Sequence, residues 1–458
     1  MAAQPPAASH TRRLHLDGVR PSIYTSVPAR WLGEVLRGLP GLHVLTLTDF
    51  PFLDHAALLQ APAVLAGPHR QLRELTATGC LNASAPGWVA LLGLLPALCV
   101  LDLSGSSGAN QPAVLAAAVA APAPAPGLHT LALRDLRLTD ATLGTLVAAV
   151  GTRLRSLDVR GNLLSDASAA VLLDYAFAPP SYLASCPRPA RRSPPPCSLA
   201  AAAGVQGDER GITHLRIADN SLTAAGASKL LKSARLVTFD IGQPRRPRRL
   251  ANCDDDDDAD DDDDVLQLVP VLSLYAHTTL RTLRISHHVV MPLPRRASVA
   301  PTPLRRAMLP ALRTLVLTGV PEWAPRRQAD ALCAFIASPP RPPEDDDQLQ
   351  VLELEMETAS SAAAAAEAEG AWSDDFSFFH SREDGHDAGE GGAGSGTSWV
   401  SDHSGPAELV ETLRQVKELR DAKTGWRGRI RIVRDLGGRE SCERGIEGER
   451  WGLVREGM

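Results

Sequence analysis

The sequence predicts an α/β fold: a curved repeat solenoid with an inner parallel sheet and outer helices, interrupted by disordered insertions. Three observations predict it. One template, apolar-x-x-apolar-x-apolar, recurs eleven times; its copies keep a near-constant spacing; and a helix-like segment follows the better copies. The chain of 458 residues also exceeds the usual single-core domain. Aromatics supply only 4% of it against 44% apolar residues, so a core has to be built unit by unit, mainly from Leu, Val and Ala.

The series opens with an imperfect copy, TRRLHL from Thr11. It continues with LHVLTL from Leu42, LRELTA from Leu72, LCVLDL from Leu98, LHTLAL from Leu128, LRSLDV from Leu154 and ITHLRI from Ile212. LVTFDI from Leu236, LRTLRI from Leu280, LRTLVL from Leu312 and LQVLEL from Leu349 complete it. The central leucines Leu45, Leu75, Leu101, Leu131 and Leu157 are separated by 30, 26, 30 and 26 residues, the period of a repeat array. Each copy reads as a strand. Alternation buries Leu154, Leu157 and Val159 and turns Ser156, Asp158 and Arg160 to the inner surface.

A corner follows the strand. Asn162 and Asn220 both lie eight residues after the first apolar position, and Cys80 takes the same place in its copy. An amide there can satisfy backbone groups that the turning chain would leave unpaired. In the later copies the corner residue is missing or is His288 or Val320. A helix comes next: TDATLGTLVAAVG after Leu138 and SDASAAVLLDYAF after Leu164 each begin with a capping residue and space apolar residues by three and four. No unit can bury its own apolar side, so stacked neighbours share one core.

Strand, Asn or Cys corner and helix in this order resemble the leucine-rich repeat family, in the long-repeat form of ribonuclease inhibitor. The resemblance spans roughly residues 11–357 and implies a horseshoe-shaped solenoid that binds partners on its concave sheet. One continuous array of about eleven units is expected over that span, after a disordered N-terminus at 1–10.

Three segments depart from the repeat. Residues 178–209 contain RPRPARRSPPPC and put Leu157 and Leu215 58 residues apart. Residues 243–264 run from a basic cluster into ten aspartates at 254–264, whose mutual repulsion opposes folding. Both are expected to be disordered and dispensable for folding. Residues 358–404 form an acidic, Gly- and Ser-rich linker. An amphipathic helix with Leu409, Leu413 and Val416 on one face and the strand GRIRIV are expected at 405–436, as a cap before a tail at 437–458.

The net charge of −6 comes from the aspartate run; removing those ten charges leaves +4, so the rest is not read as a polyanion binder, and nucleic acid is not an expected partner. Seven irregularly spaced cysteines and MAAQPPAASHTRR, which has no apolar signal segment, suggest a reducing compartment, the cytoplasm or, as an alternative, the nucleus. No membrane partner is expected.

No Gly-rich phosphate loop, HExxH or zinc-type cysteine pairing occurs, so no catalytic residue, cofactor or metal ligand is assigned and the chain is read as not an enzyme. His287 and His288 could be ligands, but His288 falls on a corner, which favours a structural role. The arginine clusters 188–192 and 245–249 are read as solvated linker before import signals.

Two features point to protein binding. Alternation places Asp102, Arg134, Asp158, Arg160, Arg216, Asp240 and Arg284 on the inner face, a mixed-charge stripe on the surface such solenoids use. Trp372, Phe376, Phe378 and Phe379 in WSDDFSFF are costly to leave in water and form a docking motif candidate. The expected function is a non-catalytic interaction scaffold, a substrate-recognition or adaptor subunit with an F-box-like role but no F-box. The alternative is a small-GTPase regulator resembling the Ran GTPase-activating proteins.

Overall fold

A computed structural model of the chain describes residues 10–18, 27–177 apart from 66 and 121–126, 211–244, 263–292, and 302–356 apart from 322, 325 and 338–348. It also describes the short stretches 407–408, 429–435, 441–445 and 452–453. Trp372, Phe376, Phe378 and Phe379, the 178–209 insertion, most of 243–264, the 358–404 linker and the amphipathic helix of 405–436 lie outside the described residues.

The repeat expectation is met strand by strand. β1 (Arg13–Asp17), β2 (Val44–Thr48), β3 (Glu74–Thr78), β4 (Val100–Asp102), β5 (Thr130–Ala132) and β6 (Ser156–Asp158) lie in order in one sheet. β7 (His214–Arg216), β8 (Thr238–Gly242), β9 (Thr282–Ser286), β10 (Thr314–Val320) and β11 (Val351–Met356) continue it. A twelfth parallel strand, β12 (Arg429–Asp435), pairs with β11, so the expected last strand extends the sheet itself. Two short antiparallel strands, Ser441–Gly445 and Gly452–Leu453, finish the edge. β8 pairs directly with β9 across the aspartate run, so the array is continuous there. A short helix, Asp263–Leu266, begins at the end of the aspartate run.

Register follows from the template. The central residues pair in one row: Leu14, Leu45, Leu75, Leu101, Leu131, Leu157, Leu215, Phe239, Leu283, Leu315, Leu352 and Ile430. All but Leu14 are buried. A one-residue slip would carry a row of leucines to the solvent face, which pins the alignment. Helices α1 (Trp31–Gly38), α2 (His55–Leu65), α3 (Ala85–Leu92), α4 (Pro112–Val119), α5 (Asp140–Val150), α6 (Asp166–Tyr175) and α7 (Ala224–Leu231) cover the outer side, with α8 (Arg326–Ala337) near the end. Side-chain caps start four of them: Ser84, Thr139, Ser165 and Thr223 accept from backbone N–H groups of the first turn.

The corner residues tie each unit to the one before. Asn162 Nδ2 donates to Val159 O and Arg160 O in its own unit and to Leu133 O in the preceding one, while its Oδ1 accepts from Leu136 N and Leu138 N. Asn220 repeats this by donating to Ile217 O, Ala218 O and the preceding Val159 O, and accepting from Leu164 N. Ser106 stands in the same place: its hydroxyl donates to Ala77 O at 2.7 Å and accepts from Cys80 N. Cys80 makes a longer version to Leu47 O at 3.9 Å. His288 departs from the pattern, because the chain enters a 3-10 turn at His287–Val289, and Val320 is simply buried.

The residue before the corner is bent into the left-handed region in unit after unit: Asp49, Gly79, Gly105, Asp135, Gly161 and Asp219 all have φ between 48 and 65°. Only Gly, or Asp and Asn with a local hydrogen bond, adopt this readily. At Gly79 and Gly161 a Cβ would also meet the Asp49 and Asp135 carboxylates beneath, which would have to turn aside.

Asn162→Ala removes an amide serving four buried backbone groups and one half-buried one, and should lower the unfolding free energy by about 3 kcal/mol, since each stranded group costs about 1–3 kcal/mol with partial rescue by water. Leu157→Ala, fully buried between units, should cost about 2–5 kcal/mol. Urea titrations followed by circular dichroism read both; an Asn162→Ala midpoint equal to wild type would contradict the stacking role.

Candidate functional site

Seven polar positions read from strand alternation meet on the concave face, and the structure joins all of them. Arg134 lies 3.3 Å from Asp102 and 3.9 Å from Asp158. Arg160 holds Asp158 in a two-pronged pair, Nε to Oδ1 at 3.0 Å and Nη2 to Oδ2 at 2.9 Å, and reaches Asp240 at 3.7 Å. Arg216 approaches Asp158 at 3.8 Å. Arg284 bonds Asp240 at 3.0 Å and clasps Glu355 with Nε at 2.9 Å and Nη2 at 2.7 Å. The network therefore spans β4 to β11, with Glu355 as a member the sequence reading left out. Glu355 occupies an outward position of its own strand, and the same alternation would have found it.

Four carboxylates face four guanidinium groups, so the stripe is electrically balanced. One expectation needs correction. Asp158 was expected to point to solvent with Arg160; it is on the concave face, but its side chain is only 9% exposed and that of Asp240 only 6%. Curvature crowds neighbouring strands here, and the arginine stems lie over the shorter aspartates. Reversing Asp158 and Arg160 together would set a guanidinium between Arg134 and Arg216, so that change tests the fold as much as any interface.

Electrostatics follow burial. Burial pushes the Asp240 carboxyl up, against the attraction and hydrogen bond of Arg284 and the attraction of Arg160. Burial acts downward on Arg284, but the Glu355 hydrogen bond and the nearby Asp240 and Glu355 charges hold it protonated above its ordinary range. For Arg160, burial is likewise outweighed by its bond to Asp158 and by the Asp158 and Asp240 charges. Asp240 and Arg284 thus form a buried hydrogen-bonded pair at 3.0 Å in which burial works against the carboxylate. Arg216 differs, being 52% exposed with a single long contact, and Arg134 is 36% exposed. These two present guanidinium edges to solvent.

The histidine pair has a structural place. His287 is buried, its Nδ1 3.2 Å from Thr318 O on β10, and its ring stacks at 4.0 Å on His288, which in turn meets Ser286. Burial, with the neighbouring His288 charge, pushes His287 down to about 4. Among the described residues no three His, Cys, Asp or Glu side chains converge as metal ligands, and no helix is long and apolar enough to cross a membrane.

No protein-family model and no curated protein matches the chain. Among solved structures it is similar to the crystal structure of the Rad7 and Elc1 complex in yeast, at 14% identity over 72% of this chain and 75% of that one, with a TM-score of 0.37. At that distance no residue role carries across.

Asp240→Ala leaves Arg160 and Arg284 short of a buried partner and should cost about 2–4 kcal/mol in a urea titration, whereas Arg216→Ala should change stability by less than about 0.5 kcal/mol. His287 gives a pH signature. Unfolded, it protonates below about 6.5; folded, only below about 4, so stability is intact above 6.5, falls as pH drops through that window and levels off below it. The loss should be on the order of 3 kcal/mol and should vanish in His287→Leu. Equal pH slopes for the two proteins would refute the assignment.

Proposed function

We propose that the chain is a non-catalytic protein-binding scaffold of the leucine-rich repeat type, in its ribonuclease-inhibitor-like form, that uses its concave sheet to hold a protein partner. One observation carries this reading: the predicted inner-face residues form a single charge-balanced network whose buried carboxylates fix the arginines in place. Fixed guanidinium groups lose little side-chain entropy on binding, which favours recognition by this face. Balance also says what the partner is. A strongly charged surface gains nothing from a neutral stripe, so the partner presents carbonyl and carboxylate oxygens spaced to meet the outward edges of Arg134 and Arg216.

The finer form of the reading is an adaptor or substrate-recognition subunit, in which the bound protein is presented to other machinery. A small-GTPase regulator is the second class, and the exposed guanidinium groups of Arg134 and Arg216 are the concave-face groups it would use.

Affinity capture with wild type, Arg216→Ala and the double variant Arg134→Ala/Arg216→Ala, read by quantitative mass spectrometry, tests the scaffold. A genuine concave-face partner should be retained by wild type and lost progressively, with purified partner affinity falling by about 1–3 kcal/mol in the double variant. Undiminished capture by the double variant would remove the concave face from the function. Accelerated GTP hydrolysis by a small GTPase in the presence of wild type would support the other class.

A further inference from the structure

The two edges of the sheet differ in charge over the first repeats. A continuous row of residues opens the strands, each backbone N–H bonded to the carbonyl of the previous member: His43 to Arg12, Arg73 to His43, Cys99 to Arg73 and His129 to Cys99. Arg12, Arg13 and Arg73 are exposed along this edge, with His43 and His129 between and beyond them. Arg37, in the last turn of α1, and Arg70, in the turn before β3, are exposed on the same side. Glu74 is the one carboxylate among these strand-opening positions. The opposite edge, where strands end and helices begin, carries Asp17, Asp49 and Asp54 instead.

Part of this separation has an internal cause. Helix C-termini lie at the strand-opening edge, and a cation such as Arg37 offsets the helix dipole. That cause does not extend to the strand row, since sheets have only small net dipoles. Arg73 is an exposed strand-row cation with no helix end of its own to neutralise. The positive character of the row also shows further along it, where burial and then the Arg155 charge push His129 down.

We propose that this strand-opening edge of the first repeats is a second interaction surface, distinct from the concave face, and that it takes an extended acidic polypeptide segment. Arg12, His43 and Arg73 stand on three consecutive strands and so span about 10 Å, within reach of carboxylates that project from one side of an extended chain about 7 Å apart. The aspartates of the far edge repel the same segment and hold it to one side. Nucleic acid fits less well. The row has no Trp, Tyr or Phe on which a base could stack, only the smaller rings of His43 and His129. The exposed arginines Arg12, Arg37, Arg70 and Arg73 also fall short of the roughly 6–10 phosphate contacts that duplex binding uses.

Fluorescence anisotropy of a labelled oligoglutamate peptide, titrated with the full chain, tests this. The wild type should bind, more weakly at about 200 mM than at about 50 mM salt, as the screening length shortens. Arg12→Gln/Arg70→Gln/Arg73→Gln should lose about tenfold in affinity with an unchanged urea midpoint, and Arg73→Gln alone, the fallback if the triple variant unfolds, about threefold. Arg216→Ala on the concave face should bind like wild type, which keeps this surface separable from the scaffold reading. A chain with aspartates 254–258 replaced by serine is run in parallel, because the native run competes for the same cations. Absence of binding by both chains overturns the proposal, as does undiminished binding by the arginine variants. Tighter binding of labelled oligothymidylate than of oligoglutamate, lost in the triple variant, overturns it in favour of nucleic acid.

Discussion

Four units between β3 and β7 share one hydrogen bond: a corner side chain donating to the backbone carbonyl at the end of a preceding unit's strand. Asn162 to Leu133, Asn220 to Val159 and Ser106 to Ala77 are the same bond in chemical variants, and Cys80 to Leu47 is its weakest form. The chain must turn there, inside the stack and away from water, where an unpaired carbonyl is costly. Because each bond reaches back by one unit, it sets the spacing and direction of stacking together. The row of leucines, the left-handed bend before the corner and the capped helices all fall into line behind it.

That geometry dictates the concave surface. Parallel strands in fixed register bring every second residue onto one face, and curvature crowds those residues. Charged side chains forced together must alternate in sign or leave, and here they alternate, from Asp102 through Arg134, Asp158, Arg160, Asp240 and Arg284 to Glu355. Such a ladder is weak evidence for stability, since desolvation takes back much of what attraction provides. Its value lies in rigidity: the pairs hold arginine edges at set positions on a surface otherwise lined by short side chains.

How much of this could be read in the sequence varies with the range of the interaction. Strand positions, buried leucines and the side on which Asp102 or Arg284 falls depend on local alternation, and all were legible. The role of Ser106 was not, because a serine eight residues past a leucine is too common to mark a corner; its meaning comes from Ala77 and Cys80, in the neighbouring unit. The burial of Asp158 and Asp240 was equally hidden, since alternation assigns a face but not the overlying arginines of other strands. Glu355 was missed by stopping the stripe at Arg284. The glycine and aspartate before each corner were visible in the letters, and only the backbone angles give them a reason.

The long insertion between β6 and β7 gains a meaning from this layout. Leu157 and Leu215 are paired neighbours, yet 58 residues of chain separate them where 26 or 30 separate the earlier pairs. Closing the longer excursion costs about 0.7 kcal/mol more in chain entropy, so this is the one junction among the first seven strands where the zipper of nearest neighbours meets a delay. Side chains cross it: Asn220 reaches back to Val159, Arg216 leans on Asp158, and Arg160 extends forward to Asp240. Assembly can begin on either side, as in any nearest-neighbour array. The concave-face charges then join strands that the insertion holds far apart in sequence.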